Sequence, residues 1–353
     1  PRLAFGPPRG ALVTPGVLVS LVTHNESRDV ERLVPSLFAQ TLRGIAISAV
    51  DNASEDGTRA TLAAFEKISP VPLEVHPSRE NLGYTGGHNL SIARAVERGI
   101  PFVLVLNTDV VLAPDFLEIL LADAAHGGRE RVATFTAKIL RAEGPELAPT
   151  SLVDSVGIRM TPNGRHFDVG AGEKDDGRWD RPAEIFGASG CAALFRTEAL
   201  ADVKISTGFF DDDFFVYRED VDLAWRLRSR GWSARCVPAA RAWHRRRNLP
   251  ERRREMSPLA NLHSVKNRFL LRVNNAGSDH LRATFLRTFL RDVVVVGGCL
   301  TVERTSLEAL RWLATNRMRL LAKRAEIQGR RTVADRDLAR WFTDDPVGAR
   351  IEG

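Results

Sequence analysis

The 353-residue sequence predicts an α/β fold, with a mostly parallel sheet flanked by helices and a helical extension at the C-terminus. Three observations predict it. Short continuous apolar runs alternate with stretches of helical spacing up to about residue 128. Four of those runs end in polar loops bearing Asn, Asp or Gly, which a parallel sheet gathers along one edge. Beyond Pro250 the apolar residues fall at helical spacing among many arginines.

Taken in order, residues 1–15 are rich in Pro and Gly and read as a tail. Val17 to Val22 is the first strand, ending at Thr23-His24-Asn25-Glu26. Ser27 or Asp29 is expected to cap the next helix, whose apolar residues are Val30, Leu33, Val34, Leu37 and Phe38. Ile45 to Val50 is a second strand ending at Asp51-Asn52, and Asp56-Gly57 leads into a helix through Leu62 and Phe65. Leu73 to Val75 is a third strand, followed by a helix from about Gly87 to Arg98. Val103 to Leu106 is a strand apolar on both faces, stopped by Asn107-Thr108-Asp109. After Arg129 the order is less regular. Strands are expected at Val132 to Ile139, Cys191 to Phe195 and Ser233 to Val237, and a helix at Glu219 to Arg230, closed by Gly231. Residues 141–182 read as long loops or a hairpin over the site. Asn261 to Val273, Leu281 to Val296 and Ser306 to Ala325 read as helices, with a boundary near Pro250.

An apolar content of 44% with 27% charged residues is that of a globular chain with a full core. The net charge of +6 favours an anionic partner: nucleotide, phospholipid or nucleic acid. No recognised nucleic-acid motif accompanies it, so nucleic acid is not expected as a partner. Cys191, Cys236 and Cys299 have no metal spacing and form no even framework, which fits a reducing cytoplasm. The first residues lack the basic-then-apolar order of a signal peptide, and Val293 to Leu300 is too short to span a bilayer.

Five stretches carry candidate chemistry. Asp51, at a strand end, can accept the imide N–H of uracil or thymine, while Asp56 and Gly57 beside it explain a cap and turn without any ligand. Asn81-Leu82-Gly83-Tyr84-Thr85-Gly86-Gly87-His88-Asn89 opens a helix with glycines that let the backbone approach a phosphate or sugar. It is neither a dinucleotide fingerprint nor a Walker loop. Asp109 is either a hard oxygen ligand for a metal holding a diphosphate or part of an Asx turn. Glu219, Asp220 and Asp222 suit a helix N-terminus, and Asp222 can pair with Arg226. Glu219 or Asp220 can serve as general base toward a hydroxyl. His244, next to Arg245-Arg246-Arg247, can complete a metal or diphosphate site, and that arginine run with Arg252 to Arg254 is a solvated face, a phosphate site or a membrane contact.

In combination these stretches resemble the family 2 glycosyltransferases, which have the GT-A fold. The resemblance covers about Val17 to His244. It implies a catalytic domain over 16–250, with a nucleotide-sugar half to about 128 and an acceptor half from 129, followed by an Arg-rich helical region over 251–353. It implies that Thr23, Asn25, Asp51 and Asn52 line the nucleoside pocket. Asn81, Gly83, Tyr84, Gly87, Asn89, Asn107 and Thr108 would serve the diphosphate-sugar, and Gly190, Cys191 and Trp225 the acceptor side. Asp109 and His244 would hold Mg²⁺ or Mn²⁺, Asn107 standing where the metal motif has its first Asp. Asp220 would be the base of an inverting transfer, with Glu219 its competitor. NLGYTGGHN, LNTDV and FFVYREDVDLAWRLRSRGW look most like the bacterial rhamnosyltransferase branch. That branch implies dTDP-L-rhamnose as donor and a cell-wall or surface polysaccharide, or a lipid-linked glycan, as acceptor. A UDP-linked galactofuranose, glucose or GlcNAc is the alternative donor. The setting implied is the cytoplasm, at the inner face of the cell membrane, with an anionic membrane surface and a homodimer as further partners. A nucleotidyltransferase would carry a Gly-rich basic loop where this chain has THNES. A catalytically dead glycan-binding relative fits less well with Asp109 and Asp220 intact.

Overall fold

The first four apolar runs become β1 (Val17–Thr23), β2 (Ile45–Asp51), β3 (Leu73–Pro77) and β4 (Phe102–Leu106). Between them lie α1 (Ser27–Phe38), α2 (Thr58–Ile68) and α3 (Gly83–Glu97). These belong to a computed structural model that describes residues 15–246, 257–301, 303–345 and 351–352. The four strands are parallel, in the order β3-β2-β1-β4, and both faces of β1, β2 and β4 are buried under helices. That is why their sequences read as unbroken apolar runs. Register puts Thr23 opposite Asp51 and Leu21 opposite Leu106, so the three polar strand ends lie level on one edge.

The second half extends the same sheet. β5 (Val110–Leu112) and α4 (Phe116–Ala124) are followed by β6 (Val132–Glu143) and β7 (Ala148–Ser155). Next come β8 (Ile158–Met160), β9 (His166–Asp168), β10 (Ala183–Ile185), β11 (Ala192–Arg196) and α5 (Thr197–Asp202). α6 (Glu219–Ser229) and β12 (Ser233–His244) complete this half. β11 inserts antiparallel between β4 and β6, so its start, not its end, meets the polar edge. β12 runs parallel to β6 with a register shift between Val237 and Arg241, and its last residues pair with β5, setting His244 opposite Val110. β8 and β9 form a separate two-stranded hairpin, as the loops-or-hairpin reading of 141–182 expected.

The C-terminal helices are α7 (Pro258–Asn275), α8 (Ser278–Thr301), α9 (Leu307–Thr315), α10 (Arg317–Gly329) and α11 (Asp335–Leu338); β13 (Ile351–Glu352) then pairs with β10. Leu270, Leu271, Leu320, Trp341 and Phe342 share one apolar cluster with Phe214, Val221 and Trp225 of the α/β part. The helical region is therefore packed into the α/β part. The expected boundary near Pro250, and most of the expected tail, lie outside the described residues.

Three local expectations differ. Neither Ser27 nor Asp29 caps α1; the N-cap is Glu26, and the Asp29 carboxylate accepts from Arg245 at 2.6 Å. The helix after β3 begins at Gly83, not Gly87, because Asn81 Oδ1 accepts the Gly83 N–H at 2.8 Å and starts the turn early. The single helix expected over Ser306 to Ala325 is two, broken at Asn316, whose amide donates to the Trp312 carbonyl at 2.9 Å.

α8 is inside out. Its buried residues are His280, Thr284, Thr288 and Cys299, and Thr284 and Thr288 turn their hydroxyls onto their own helix carbonyls. Phe285, Leu286, Phe289, Leu290, Val293, Val294 and Leu300 are exposed. An ordinary surface helix has the opposite arrangement. No helix among the described residues is long and apolar enough to cross a membrane.

Candidate active site

The sheet edge collects the polar ends of β1, β2 and β4. Asp51 and Thr23 are buried there, with the Thr23 hydroxyl 3.4 Å from Asp51 Oδ1. Asn52 donates to the Gly83 carbonyl at 2.8 Å, while its own buried amide oxygen has no partner among the described residues. Asn25, at φ 58°, uses its side-chain oxygen on the Glu55 and Asp56 N–H groups, so it shapes the loop beside the pocket. Asn89 likewise spends both ends of its amide on the chain, bonding the Phe210 N–H and carbonyl and Asp212. Gly83 sits at φ +70°, and a Cβ there would come within 2.5 Å of the Phe215 ring. A Cβ on Gly87 would come within 2.7 Å of Val22. Both glycines are required by close approach of α3 to its neighbours.

The β4 end continues into Asn107, whose N–H donates to the Cys191 carbonyl at 2.9 Å, and Thr108, whose hydroxyl donates to Glu26 at 2.6 Å. Asp109 Oδ1 lies 3.3 Å from His244 Nε2. The other ring nitrogen of His244 is 2.8 Å from Asp154 Oδ2 on β7. Burial alone would lower the His244 pKa, but hydrogen bonds to Asp109 and Asp154 outweigh it and raise it to about 9. Arg246 Nε approaches Asp154 Oδ1 at 2.9 Å, and the same guanidinium bonds Asp168 at 2.5 Å. The ligand atoms of Asp154, Cys191 and His244 lie within 4.8 Å of one another. Burial, followed by the Asp154 charge, pushes the Cys191 thiol up, so it stays protonated and is a poor ligand for a hard cation. Asp109 and His244 fit Mg²⁺ or Mn²⁺ better, with a cation at His244 Nε2 taking the place of the proton that Asp109 now holds there. Two ligands each about 2.1 Å from one ion stand about 3 Å apart, near the separation seen. Asp154 then holds the imidazole from behind, as second partners of metal-bound histidines do.

The N-terminus of α6 reaches the residue before Cys191 through Asp220. The loop before it places Phe215, Tyr217 and Arg218 at φ 64°, 69° and 70°, a left-handed backbone that non-glycine residues rarely adopt. Asn267 of α7 holds this loop, its Nδ2 lying 2.8–2.9 Å from the carbonyls of Phe214, Val216 and Tyr217. Asp222 pairs with Arg226 at 2.8 Å, as the helical spacing expected. Glu219 is buried and its Oε2 has no partner among the described residues. Burial and then the Asp220 charge push its carboxyl well above the usual range. Asp220 is partly exposed and accepts the Gly190 N–H at 3.1 Å. Burial raises its pKa to about 6, with the Gly190 bond opposing and the Asp168 charge adding.

The Gly190-Cys191 segment joins the two sides. Gly190 donates to Asp220 and accepts from the Tyr84 hydroxyl at 2.7 Å, and Cys191 stands beside His244. Trp225 is placed elsewhere: it is 3% exposed and packs against Phe186, His280 and Phe342. Asp154 and Asp168 had no signal in the sequence, since each lies in a Gly- and Pro-rich stretch without periodicity and reaches the site only through strand pairing.

Residues 19–204 match the family model described as "Glycosyl transferase family 2". The N-acetylglucosaminyl-diphospho-decaprenol L-rhamnosyltransferase of Mycobacterium tuberculosis is 31% identical over 249 residues, 64% of this chain and 75% of its own. Among solved structures, GalNAc-T7 with UDP, GalNAc and Mn²⁺ superposes with a TM-score of 0.58 at 15% identity, over 75% of this chain and 48% of that one. Staphylococcus aureus TarS gives 0.51 at 15% identity, over 89% and 52%. The mannosyltransferase PcManGT from Pyrobaculum calidifontis, in complex with GDP-Man and Mn²⁺, gives 0.50 at 16% identity, over 90% and 86%. At these identities the structural likeness is one of fold.

Proposed function

Because the chain belongs to glycosyl transferase family 2 and has the GT-A fold, we propose that it transfers L-rhamnose from dTDP-L-rhamnose, with inversion, to a hydroxyl of a lipid-linked glycan. The observation that carries this reading is the pairing of a candidate cation site with a candidate base through one two-residue segment. Asp109 and His244 stand on one side and Asp220 on the other, joined by the Gly190-Cys191 segment. The donor sugar and the lipid-linked acceptor are carried over from the name of the M. tuberculosis relative.

In the mechanism, Asp51 accepts the imide N–H of the donor base at the end of β2. Asp109 and His244 would hold Mg²⁺ or Mn²⁺, which supplies charge neutralisation to a diphosphate leaving group. Asp220, with a pKa of about 6, is ionised at neutral pH yet basic enough to take the proton of the acceptor hydroxyl as it attacks the anomeric carbon. Glu219 is enclosed, and burial with the Asp220 charge raises its carboxyl pKa and so favours its neutral form, which supports Asp220 as the base.

A lipid-linked acceptor requires a protein that meets a membrane, and the outward apolar face of α8 supplies the contact. Phe285 and Phe289 are stacked 5.8 Å apart on that face. The test is binding and slow hydrolysis of dTDP-rhamnose, UDP-glucose, UDP-galactofuranose and UDP-GlcNAc, each with and without Mn²⁺. Metal-dependent hydrolysis of dTDP-rhamnose is the expected result. A response to a UDP-sugar alone refutes the rhamnose donor, and binding of no nucleotide sugar refutes the enzymatic reading.

A further inference from the structure

Between the base loop and the inside-out helix lies a group of arginines that the transfer mechanism does not use. Arg159 and Arg165 sit on the Phe167 ring, each 4.4 Å from its centroid, at the β8–β9 hairpin. His166, next in the hairpin, accepts from Arg218 at 2.9 Å, and Arg218 is two residues before the base. From the C-terminal side come Arg268 of α7 and Arg291 of α8. Arg268 shares the Asp292 carboxylate with Arg272, yet its Nη2 is buried with no acceptor among the described residues, and the same is true of Arg291 Nε.

These cations are close enough to oppose one another. Burial lowers the Arg165 pKa, and the Arg291 and Arg159 charges lower it further. Burial brings Arg268 to about 10, with Asp292 opposing and Arg291 adding. Burial and then Arg218, Arg246, Arg165 and Arg268 hold His166 neutral, which leaves its Nδ1 as an acceptor for Arg218. Arg268 and Arg291 each keep a buried N–H without an acceptor among the described residues, and like charges gathered around such donors favour a multivalent anion.

We infer that Arg159, Arg165, Arg218, Arg268 and Arg291 form a binding site for the diphosphate group of the lipid-linked acceptor. This rests on the lipid-linked acceptor of the preceding section and gives that molecule an address. The diphosphate lies beside α8, whose far side carries the exposed Phe285 and Phe289, so the lipid chain leaves toward the membrane face. The acceptor sugar projects from the diphosphate past Arg218 to Asp220. Arg165, at the exposed rim, is the entry; Arg268 is the buried floor. The site is separate from the donor diphosphate, which belongs to Asp109 and His244.

The test uses the full chain in EDTA-containing buffer, where no cation can hold a diphosphate at Asp109. Farnesyl diphosphate, inorganic pyrophosphate and farnesol are titrated by calorimetry against wild type, Arg165→Gln and Arg291→Gln. The expected result is that farnesyl diphosphate binds, is not displaced by dTDP or UDP, and weakens at least tenfold in each variant, while farnesol does not bind. Unchanged thermal stability of the variants, or a rise, accompanies this, because each change relieves repulsion; Arg165→Lys restores much of the affinity. Farnesyl diphosphate binding that is indifferent to both variants, or abolished by nucleotide, overturns the inference. Equal affinity for pyrophosphate and farnesyl diphosphate overturns the lipid source. If Arg291→Gln does not fold, Arg165→Gln at the exposed rim carries the test. Nucleotide binding with Mn²⁺ is measured alongside: its absence sinks the glycosyltransferase reading itself, whereas its presence without farnesyl diphosphate binding sinks only this site.

Discussion

Replacing Asp220 by Asn separates its role in stability from its proposed role as the base. Asn keeps an oxygen to accept the Gly190 N–H but can neither ionise nor take a proton. In the folded chain the Asp220 pKa is raised from 3.8 to about 6. A carboxyl raised in this way leaves the protein unpenalised below its unfolded pKa; the cost grows as pH climbs from that value to the folded one and is complete above it. A shift of this size corresponds to roughly 3 kcal/mol above pH 7, at about 1.4 kcal/mol per pKa unit, and to about half of that near pH 5. Asp220→Asn should therefore raise the melting temperature at pH 7.5 by several degrees, and by less at pH 5, in a thermal-shift series across that range. Turnover should fall about 10²–10⁴-fold, with nucleotide affinity retained. In the wild type, turnover should fall below about pH 6 as Asp220 protonates. A lowered melting temperature at pH 7.5 would show that the charged bond to Gly190 is structural. Turnover within tenfold of wild type would show that Asp220 is not the base.

Asp109→Asn and His244→Ala should each weaken Mn²⁺ binding about tenfold or more, read directly by electron paramagnetic resonance of free Mn²⁺. Asp51→Ala should weaken dTDP or UDP roughly tenfold through loss of the bond to the imide, measured by calorimetry, and cytidine nucleotides should bind poorly to the wild type. Asn267→Ala frees the carbonyls of Phe214, Val216 and Tyr217 and should cost about 2–3 kcal/mol in chemical denaturation, with turnover reduced because the base loop loses its support. Phe285→Ser with Phe289→Ser should leave the melting temperature nearly unchanged, since both rings are more than half exposed. The same pair should reduce sedimentation with phosphatidylglycerol vesicles by roughly 10²–10³-fold in affinity.

The parallel half of the sheet was legible because strands buried on both faces must be apolar without interruption, and their polar ends must then fall on one edge. That places Thr23, Asp51 and Asp109 from the sequence alone. His244 was legible as a candidate only by its company, since nothing in the sequence shows that β12 shifts register and pairs with β5. Asp154 and Asp168 were not legible. Their neighbours alternate irregularly, and their partners, His244 and Arg246, are more than seventy residues away. Asn25 and Asn89 show a different limit. An amide in a polar loop can serve a ligand or the loop itself, and here the Asn25 oxygen and both ends of the Asn89 amide are taken by the chain. Trp225 sits on a helix whose N-terminus is functional, but its own side faces Phe342 and the C-terminal helices, which a single helix period could not reveal.

The C-terminal helices do more than cover the α/β part. Three left-handed residues in four, directly before the base, form a conformation that no local sequence preference stabilises, so packing must impose it. The imposing contacts come from α7 and α10. Asn267 grips the loop carbonyls, Asn274 and Asn275 reach Asp222, and Lys323 pairs with Asp211 and Asp213 at the start of the same loop. α8 is tied to α7 through Asp292, which Arg268 and Arg272 share. The helix with the apolar outer face is thus anchored to the helix that sets the base. Under the proposed function, with a membrane-borne hydroxyl as acceptor, this hydrogen-bonded path would fix the height of Asp220 above the surface. The inverted amphipathicity of α8 then has a physical reason. Its inner face is polar because His280 packs against Trp225 and Phe342 while Thr284 and Thr288 bond their own helix carbonyls, and the proposed lipid contact would account for its apolar outer face.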